Sequence, residues 1–475
     1  MYYLRKGNET IFDDKIAPSV VWVCDEANNK DELIVYSEHE YTKRYCLRGR
    51  FQSSTSSNWY ITINSKRYTS ATQEFEFRLE EPLVLTRTLF TNKYTHLYLP
   101  QCTVEANMTN VFANMSYLQE LDITNVNWSN ATNMAYSFQN LPQGINIIGL
   151  QKSLDTMTNL QPTGGATTFI LNGIYQWGIF KYDPNVKLDL HNLQYLTSNC
   201  QWFTDLDVLV LKNYNLSGVI KISNIFYNNP NIDFTDCNLK PIDMGGSIGY
   251  GNDPWTAKGL DDIDTSRADT FYQGFMGYRG NYPLDYQFKW DTSKVKTFNQ
   301  CFCSCPENGY GGNRIDASWI DASSATNITQ MFQKTTAQIT SINAAFKNIK
   351  PGQITDGNRV FAQMASVTDL NLGPNFDLTN STWAADSDSY MDGNDFASSN
   401  KLTNITGVIK IAKKHTMYNL QTLNLLTRES IMVLINGLPA TSTNKNFRLH
   451  ASAFARLTEE DIAIATSKGW TVTQG

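Results

Sequence analysis

Apolar residues along this 475-residue chain fall into two interleaved patterns that keep step with each other. The first is a short L-x-L triplet, seen at Leu97-Tyr98-Leu99, Leu121-Asp122-Ile123, Leu188-Asp189-Leu190, Leu209-Val210-Leu211, Ile232-Asp233-Phe234 and Leu370-Asn371-Leu372. Neighbouring triplets lie 21 to 24 residues apart where the run is unbroken. Each triplet predicts a short strand whose alternate side chains point inward. The second pattern begins on Asp or Asn and reaches an aromatic residue eleven positions later. It joins Asn127 to Phe138, Asn215 to Phe226, Asp264 to Phe275, Asp291 to Phe302 and Asp321 to Phe332. Thr and Ser fill the start of this frame, and an apolar residue stands three or four positions before the Phe.

Two copies of the frame are nearly the same phrase. "DTSKVKTFNQCF" at 291–302 and "DTSRADTFYQGF" at 264–275 agree at seven of twelve positions, 27 residues apart. "MTNVFANM" at 108–115 likewise precedes "MAYSFQNL" at 134–141 by 26 residues. A period in the twenties with one L-x-L per unit is the signature of a leucine-rich-repeat solenoid. Asp or Asn followed by Ser or Thr predicts a turn closed by its own side chains. The M-x-x-x-F piece predicts a helical turn or two, with Met and Phe on one face at i and i+4. One such coil cannot bury its own core, so the coils must stack.

"DTSKVKTF", "MTNVF", "MAYSF" and "ATNITQMF" resemble the BspA-like leucine-rich repeats of bacterial surface proteins, whose units read roughly "FDTSNVTNMSSMFxxCxxLxxLDLS". "DTSKVKTFNQCFCSC" keeps even the Cys after the Phe. The resemblance covers about residues 95–420, with degenerate stretches near 145–185 and 240–260. It implies a repeat fold and work in surface adhesion and recognition, without specifying a ligand. The last residues also resemble the C-terminal cap of repeat proteins encoded by gut Bacteroidales and by phages that infect them.

The flanks lack the repeat. "SVVWVCD", "ELIVYS", "WYITINSKRYT" and "FEFRLEEPLVLT" alternate apolar and polar residues, which predicts strands of a small antiparallel β domain over 1–92. That domain either anchors the array or caps it. At the other end, 428–436 reads as a helix and "FRLH" as a strand. Thr458 with Asp461 opens a second helix through Ser467, Gly469 ends it, and "WTVTQ" is a last strand. The expected fold class is therefore an α+β repeat. It comprises an N-terminal antiparallel β domain (1–92), a BspA-like leucine-rich-repeat solenoid with loop inserts (93–420) and a helix-containing C-terminal cap (421–475).

Composition narrows the function classes. Charged residues are only 18% of the chain, with a net charge of −6 and no Lys/Arg block, which argues against a nucleic-acid groove. No run of 18 apolar residues occurs, so no membrane insertion is expected, and the start lacks the apolar core of a secretory signal. The chain is then either cytoplasmic or reaches the outside by another route. The eight cysteines include no CxxC pair and read as buried, reduced thiols. The five histidines form no HExxH, and no P-loop or G-x-S-x-G occurs. "WAADSDSYMDGNDF" at 383–396 is acidic but lacks the spacing and terminal Glu of a calcium loop. No catalytic residue, cofactor or metal ligand is assigned.

The aromatic inserts "NGIYQWGIFKYDP" and "MGYRGNYPLDYQFKW" carry more Tyr and Trp than a loop requires. Exposed aromatics beside Asn and Asp grip sugars or partner surfaces; the alternative is that they fold back onto the coils. The candidate recognition surface is accordingly Tyr175, Trp177, Tyr182, Tyr278, Tyr282, Tyr286 and Trp290. The reading that unites these points is a non-enzymatic, tail-associated structural protein of a virion, assembled in the cytoplasm and released without an export signal. Its N-terminal domain would dock to other virion proteins within a larger assembly, and its repeat would face a host surface glycan or protein. A bacterial cell-surface adhesin is the alternative, and a glycan-active solenoid enzyme a weaker one.

Overall fold

A computed structural model describes residues 4–6, 9–11, 46–53, 59–79, 81–134, 137–138, 140–142, 144–157, 180–181, 189–190, 195–197, 203–205, 208–227, 230–246, 248–249, 254–307, 310–382, 396, 398–413 and 417–475. It divides into two compact units, one of residues 1–188 and 199–207, the other of residues 189–198 and 208–475.

In the first unit the strand Cys46–Phe51 runs antiparallel between Glu74–Arg78 and Tyr94–Tyr98. From Tyr94–Tyr98 onward the same sheet turns parallel, adding Glu120–Asp122 and then Asn146–Ile148. Leu97 pairs with Leu121, and both are fully buried, as the L-x-L spacing requires. A second parallel ladder joins Leu83–Leu85, Cys102–Val104 and Val126–Asn127. The expected strand pair in "WYITINSKRYT" forms a hairpin, Trp59–Ile63 against Lys66–Ser70, turning on Asn64 and Ser65 at φ 49° and 65°. Two positive φ values in a two-residue loop match the twist of the flanking strands. The expected strands in "SVVWVCD" and "ELIVYS" lie outside the described residues.

In the second unit successive chain turns pair in parallel. The strands Val208–Val210, Asn231–Asp233 and Thr256–Lys258 form one ladder. Single bridges carry another from Lys221 through Asp243, Thr270, Thr297 and Asn327 to Asp356. The frame phenylalanines Phe275, Phe302 and Phe332 fill the space between turns and, with Phe361 and Phe396 beyond the frame, stack in sequence with centroids 5.0, 5.4, 5.8 and 5.6 Å apart. Each is at most 1% exposed.

The polar start of the frame behaves as its chemistry dictates. Asp264, Asp291 and Asp321 accept the backbone N–H two residues on, at 3.0, 3.0 and 2.9 Å. The Thr between Asp and Ser reaches outward to the next turn, Thr265 Oγ1 donating to the Asp291 carbonyl at 3.0 Å and Thr292 Oγ1 to that of Asp321 at 3.3 Å.

The M-x-x-x-F piece is not helical in these repeats, which corrects the sequence expectation. Gln273, Gln300 and Gln330 each sit at φ 56°, so the chain advances through consecutive tight turns instead. Every second N–H then points to the neighbouring turn. Phe298, Gln300, Phe302 and Ser304 donate to the carbonyls of Asn327, Thr329, Met331 and Gln333 at 2.8–2.9 Å. The residues between them close local bonds, Cys301 N–H to Phe298 and Cys303 N–H to Gln300. An α-helix would spend all of these donors on itself. The αL position carries Gln because its amide continues the ladder: Gln273 Nε2 donates to Gln300 Oε1 at 2.6 Å, and Gln300 Nε2 to Gln330 Oε1 at 2.8 Å.

The last elements follow the sequence reading closely. Arg428–Gly437 is a helix capped by Thr427, and Glu459–Ser467 is a helix opened by a capping box of Thr458 and Asp461. The strands Met417–Leu420, Lys445–Leu449 and Trp470–Gln474 pair in parallel.

Candidate functional site

The inserts expected to present aromatic residues do so only in part. Tyr278 is fully buried and Trp290 is 5% exposed, so neither can form a recognition surface. Their polar tips are satisfied inside: Tyr278 Oη donates to the Tyr282 carbonyl at 2.9 Å, and Trp290 Nε1 to the Leu260 carbonyl at 2.8 Å. Trp290 stacks on Phe288 at 4.6 Å, which adds one more layer to the aromatic core. Tyr282 and Tyr286 are half-buried and meet edge to face at 5.1 Å, with Tyr286 Oη on Asp261 Oδ2 at 2.5 Å. That bond pushes the Tyr286 phenol up to about 12. Tyr175, Trp177 and Tyr182, like the acidic loop at 383–395, lie outside the described residues. Among the described residues the exposed tyrosines are Tyr117, Tyr227, Tyr272 and Tyr310, of which Tyr272 belongs to the repeat frame itself.

A more developed site lies on the polar face of the five-stranded sheet in the first unit. Alternation puts Leu47, Gly49 and Phe51 on the core side of their strand and leaves Arg48 and Arg50 on the other. Gly49 is required there: a Cβ would stand 2.3 Å from the His96 carbonyl oxygen and 2.7 Å from the Phe75 ring. The register then assembles two rows across the sheet. One reads Glu74, Arg50, His96, Glu120, Asn146; the other reads Glu76, Arg48, Tyr98, Asp122, Ile148. Between them is a cleft of about 700 Å³, lined by Arg48, Arg50, Glu74, Glu76, His96 and Tyr98.

The groups in the cleft are unequally satisfied. Tyr98 Oη donates to Glu120 Oε1 at 2.6 Å, and Asn146 Nδ2 to Glu120 Oε2 at 2.8 Å. The Tyr98 bond holds the Glu120 carboxyl below its ordinary value, while burial and that same carboxylate push the Tyr98 phenol up to about 12. His96 lies alongside Tyr98, rings 6.5 Å apart and 28° from parallel. The Arg48 guanidinium stands 5.7 Å from the Tyr98 ring centre, and its Nε is buried without a hydrogen-bond partner. The arrangement is a fixed aromatic face beside two guanidiniums, with carboxylates at its border.

The other reactive side chains are structural. The six described cysteines, Cys46, Cys102, Cys237, Cys301, Cys303 and Cys305, are free thiols and buried, and burial raises each of them. Among the described residues no group of three or more His, Cys, Asp or Glu could hold a metal ion, and no helix is long and apolar enough to cross a membrane.

The cleft was not legible as a site in the sequence. "CLRGRF" lies outside the segments whose alternation marked them as strands, although Leu47, Gly49 and Phe51 alternate with the arginines.

Comparison with known proteins gives one family match. Residues 103–149 and 256–402 match the family described as "Mycoplasma protein of unknown function, DUF285". The match is compatible with BspA-like repeat proteins, and the longer segment spans the stacked phenylalanines from Phe275 to Phe396. No curated protein and no solved structure matches the chain.

Proposed function

We propose that this chain is a non-enzymatic recognition protein built on a BspA-like leucine-rich-repeat solenoid, with an N-terminal β domain and a helix-containing C-terminal cap. It works as a tail-associated structural protein of a virion and uses its surface for attachment to a host. The observation that carries recognition is the cleft of Arg48, Arg50, His96 and Tyr98, set on a sheet whose opposite face packs Leu47, Phe51, Leu97 and Leu121 into the core. Its aromatic face is held in place by the Tyr98–Glu120 bond, so that part of the cleft costs little ordering on contact. The parallel turns of the second unit support the scaffold reading, since the stacked phenylalanines of each turn pack against those of its neighbours.

A second reading, a bacterial cell-surface adhesin, is favoured by the family match, whose description names a cellular bacterium. Immunogold electron microscopy separates the two. Label on the tails of released particles supports the virion protein. Label confined to the bacterial envelope transfers the recognition role to a cell-surface adhesin, and label restricted to the cytoplasm removes it.

A further inference from the structure

We infer that the cleft on the first unit's five-stranded sheet binds a carboxylate-bearing sugar, a uronic acid or a sugar acid of that type, with Arg48 and Arg50 taking the carboxylate. This rests on the recognition reading above and names its ligand class.

The charge pattern points to an anion carried singly. Arg48 and Arg50 stand two residues apart on one strand face, and among the described residues neither guanidinium makes an ion pair or hydrogen bond, although the Arg50 carbonyl accepts Thr95 Oγ1 at 3.3 Å. Arg48 and Arg50 both line the cleft, so a carboxylate there meets guanidinium donors that the described residues leave without an acceptor. Glu74 and Glu76 pair across the strands with these same arginines and are exposed. They repel a dense polyanion such as a nucleic-acid backbone, yet can accept hydroxyl protons beside a single carboxylate.

The remaining surfaces fit a sugar ring. Tyr98 is tethered through its hydroxyl to Glu120 and His96 lies alongside it, so the pair offers an aromatic face that needs no reordering. An extended peptide could add to this sheet beside the cleft only at Glu74–Arg78, its terminal strand among the described residues. The Cys46–Phe51 strand is already paired on both sides, by Glu74–Arg78 and by Tyr94–Tyr98, so it offers no backbone edge for strand addition.

The test uses the full chain on immobilised polysaccharide. Three matrices are compared: a polyuronate, the same polymer with its carboxyls chemically reduced to alcohols, and poly-glutamate. The chain is expected to be retained on the polyuronate, and less so as salt rises. The reduced polymer and poly-glutamate should retain it at least tenfold less. R48Q and R50Q should each weaken binding about tenfold or more, the loss expected for one charged hydrogen-bonding group. Because Arg50 is exposed, R50Q tests binding without disturbing the core, and an unchanged unfolding midpoint verifies this. Equal retention on the reduced polymer, tighter retention on poly-glutamate, or unchanged binding of both variants overturns the carboxylated-sugar site. A chain that binds neutral host glycans but not polyuronates loses this inference and keeps the recognition role. A chain that binds neither polysaccharide nor intact host cells loses both.

Discussion

Replacing Phe302 by Ala removes the second of the five stacked rings. The ring is 1% exposed and lies between Phe275 at 5.0 Å and 12° and Phe332 at 5.4 Å and 9°. Truncating a buried Phe costs about 3–5 kcal/mol. Three ring contacts, the third edge-on to Trp319 at 6.4 Å, are each worth about 0.5–1.5 kcal/mol beyond area and place this site in the upper half of that range. F302L keeps most of the volume and loses only the ring contacts, so about 1–2 kcal/mol is expected. Hydrogen exchange reads the effect locally. The Phe275 and Phe302 amides bond to the next turn, at Cys301 O and Met331 O. A loss of about 4 kcal/mol should speed their exchange about a thousandfold in F302A. Coupling between nearest neighbours should leave the Arg428–Gly437 amides nearly unchanged. If the Phe275 and Phe302 amides accelerate no more than those of Arg428–Gly437, turn-on-turn packing is the wrong explanation of stability here.

Three further outcomes follow from the same contacts. G49A places a methyl against the His96 carbonyl and should destabilise the first unit by about 1–3 kcal/mol, read as a lower urea midpoint of a probe in that unit. The Asp264 carboxyl is held down to about 2, first by Lys240 and then by Ser266. A carboxyl that binds its proton less readily when folded stabilises the fold fully above about pH 4, and that contribution is lost as pH falls towards about 2. D264N should therefore show a shallower loss of urea midpoint across that window, and an unchanged slope would discount the pairing. T458A removes the capping hydroxyl that accepts the Asp461 N–H, and should cost about 1 kcal/mol by thermal unfolding, with little change in S467A as a control.

The frame was legible because burial and turn chemistry each use few residue types. Phe302 is in the core and Asp291 closes a turn for reasons visible in twelve letters. The conformation between them was not legible. Gln300 at φ 56° looks like an ordinary helix former, and only the ladder through Gln273 and Gln330 explains why Gln stands where Gly or Asn is expected. The candidate site was hidden for a related reason. Its rows join Glu74, Arg50, His96 and Glu120, which no local window brings together, whereas the conspicuous Tyr278 and Trp290 were aromatic because the core needed them.

The most direct test of the central claim, recognition without chemistry, is a single incubation of the full chain with a carboxylated surface polysaccharide. Retained protein and newly formed reducing ends are measured together. Saturable retention that R48Q weakens, with no reducing ends formed, is the predicted result. Polymer shortened in proportion to enzyme and time would contradict it, and would make the scaffold that of a glycan-cleaving protein.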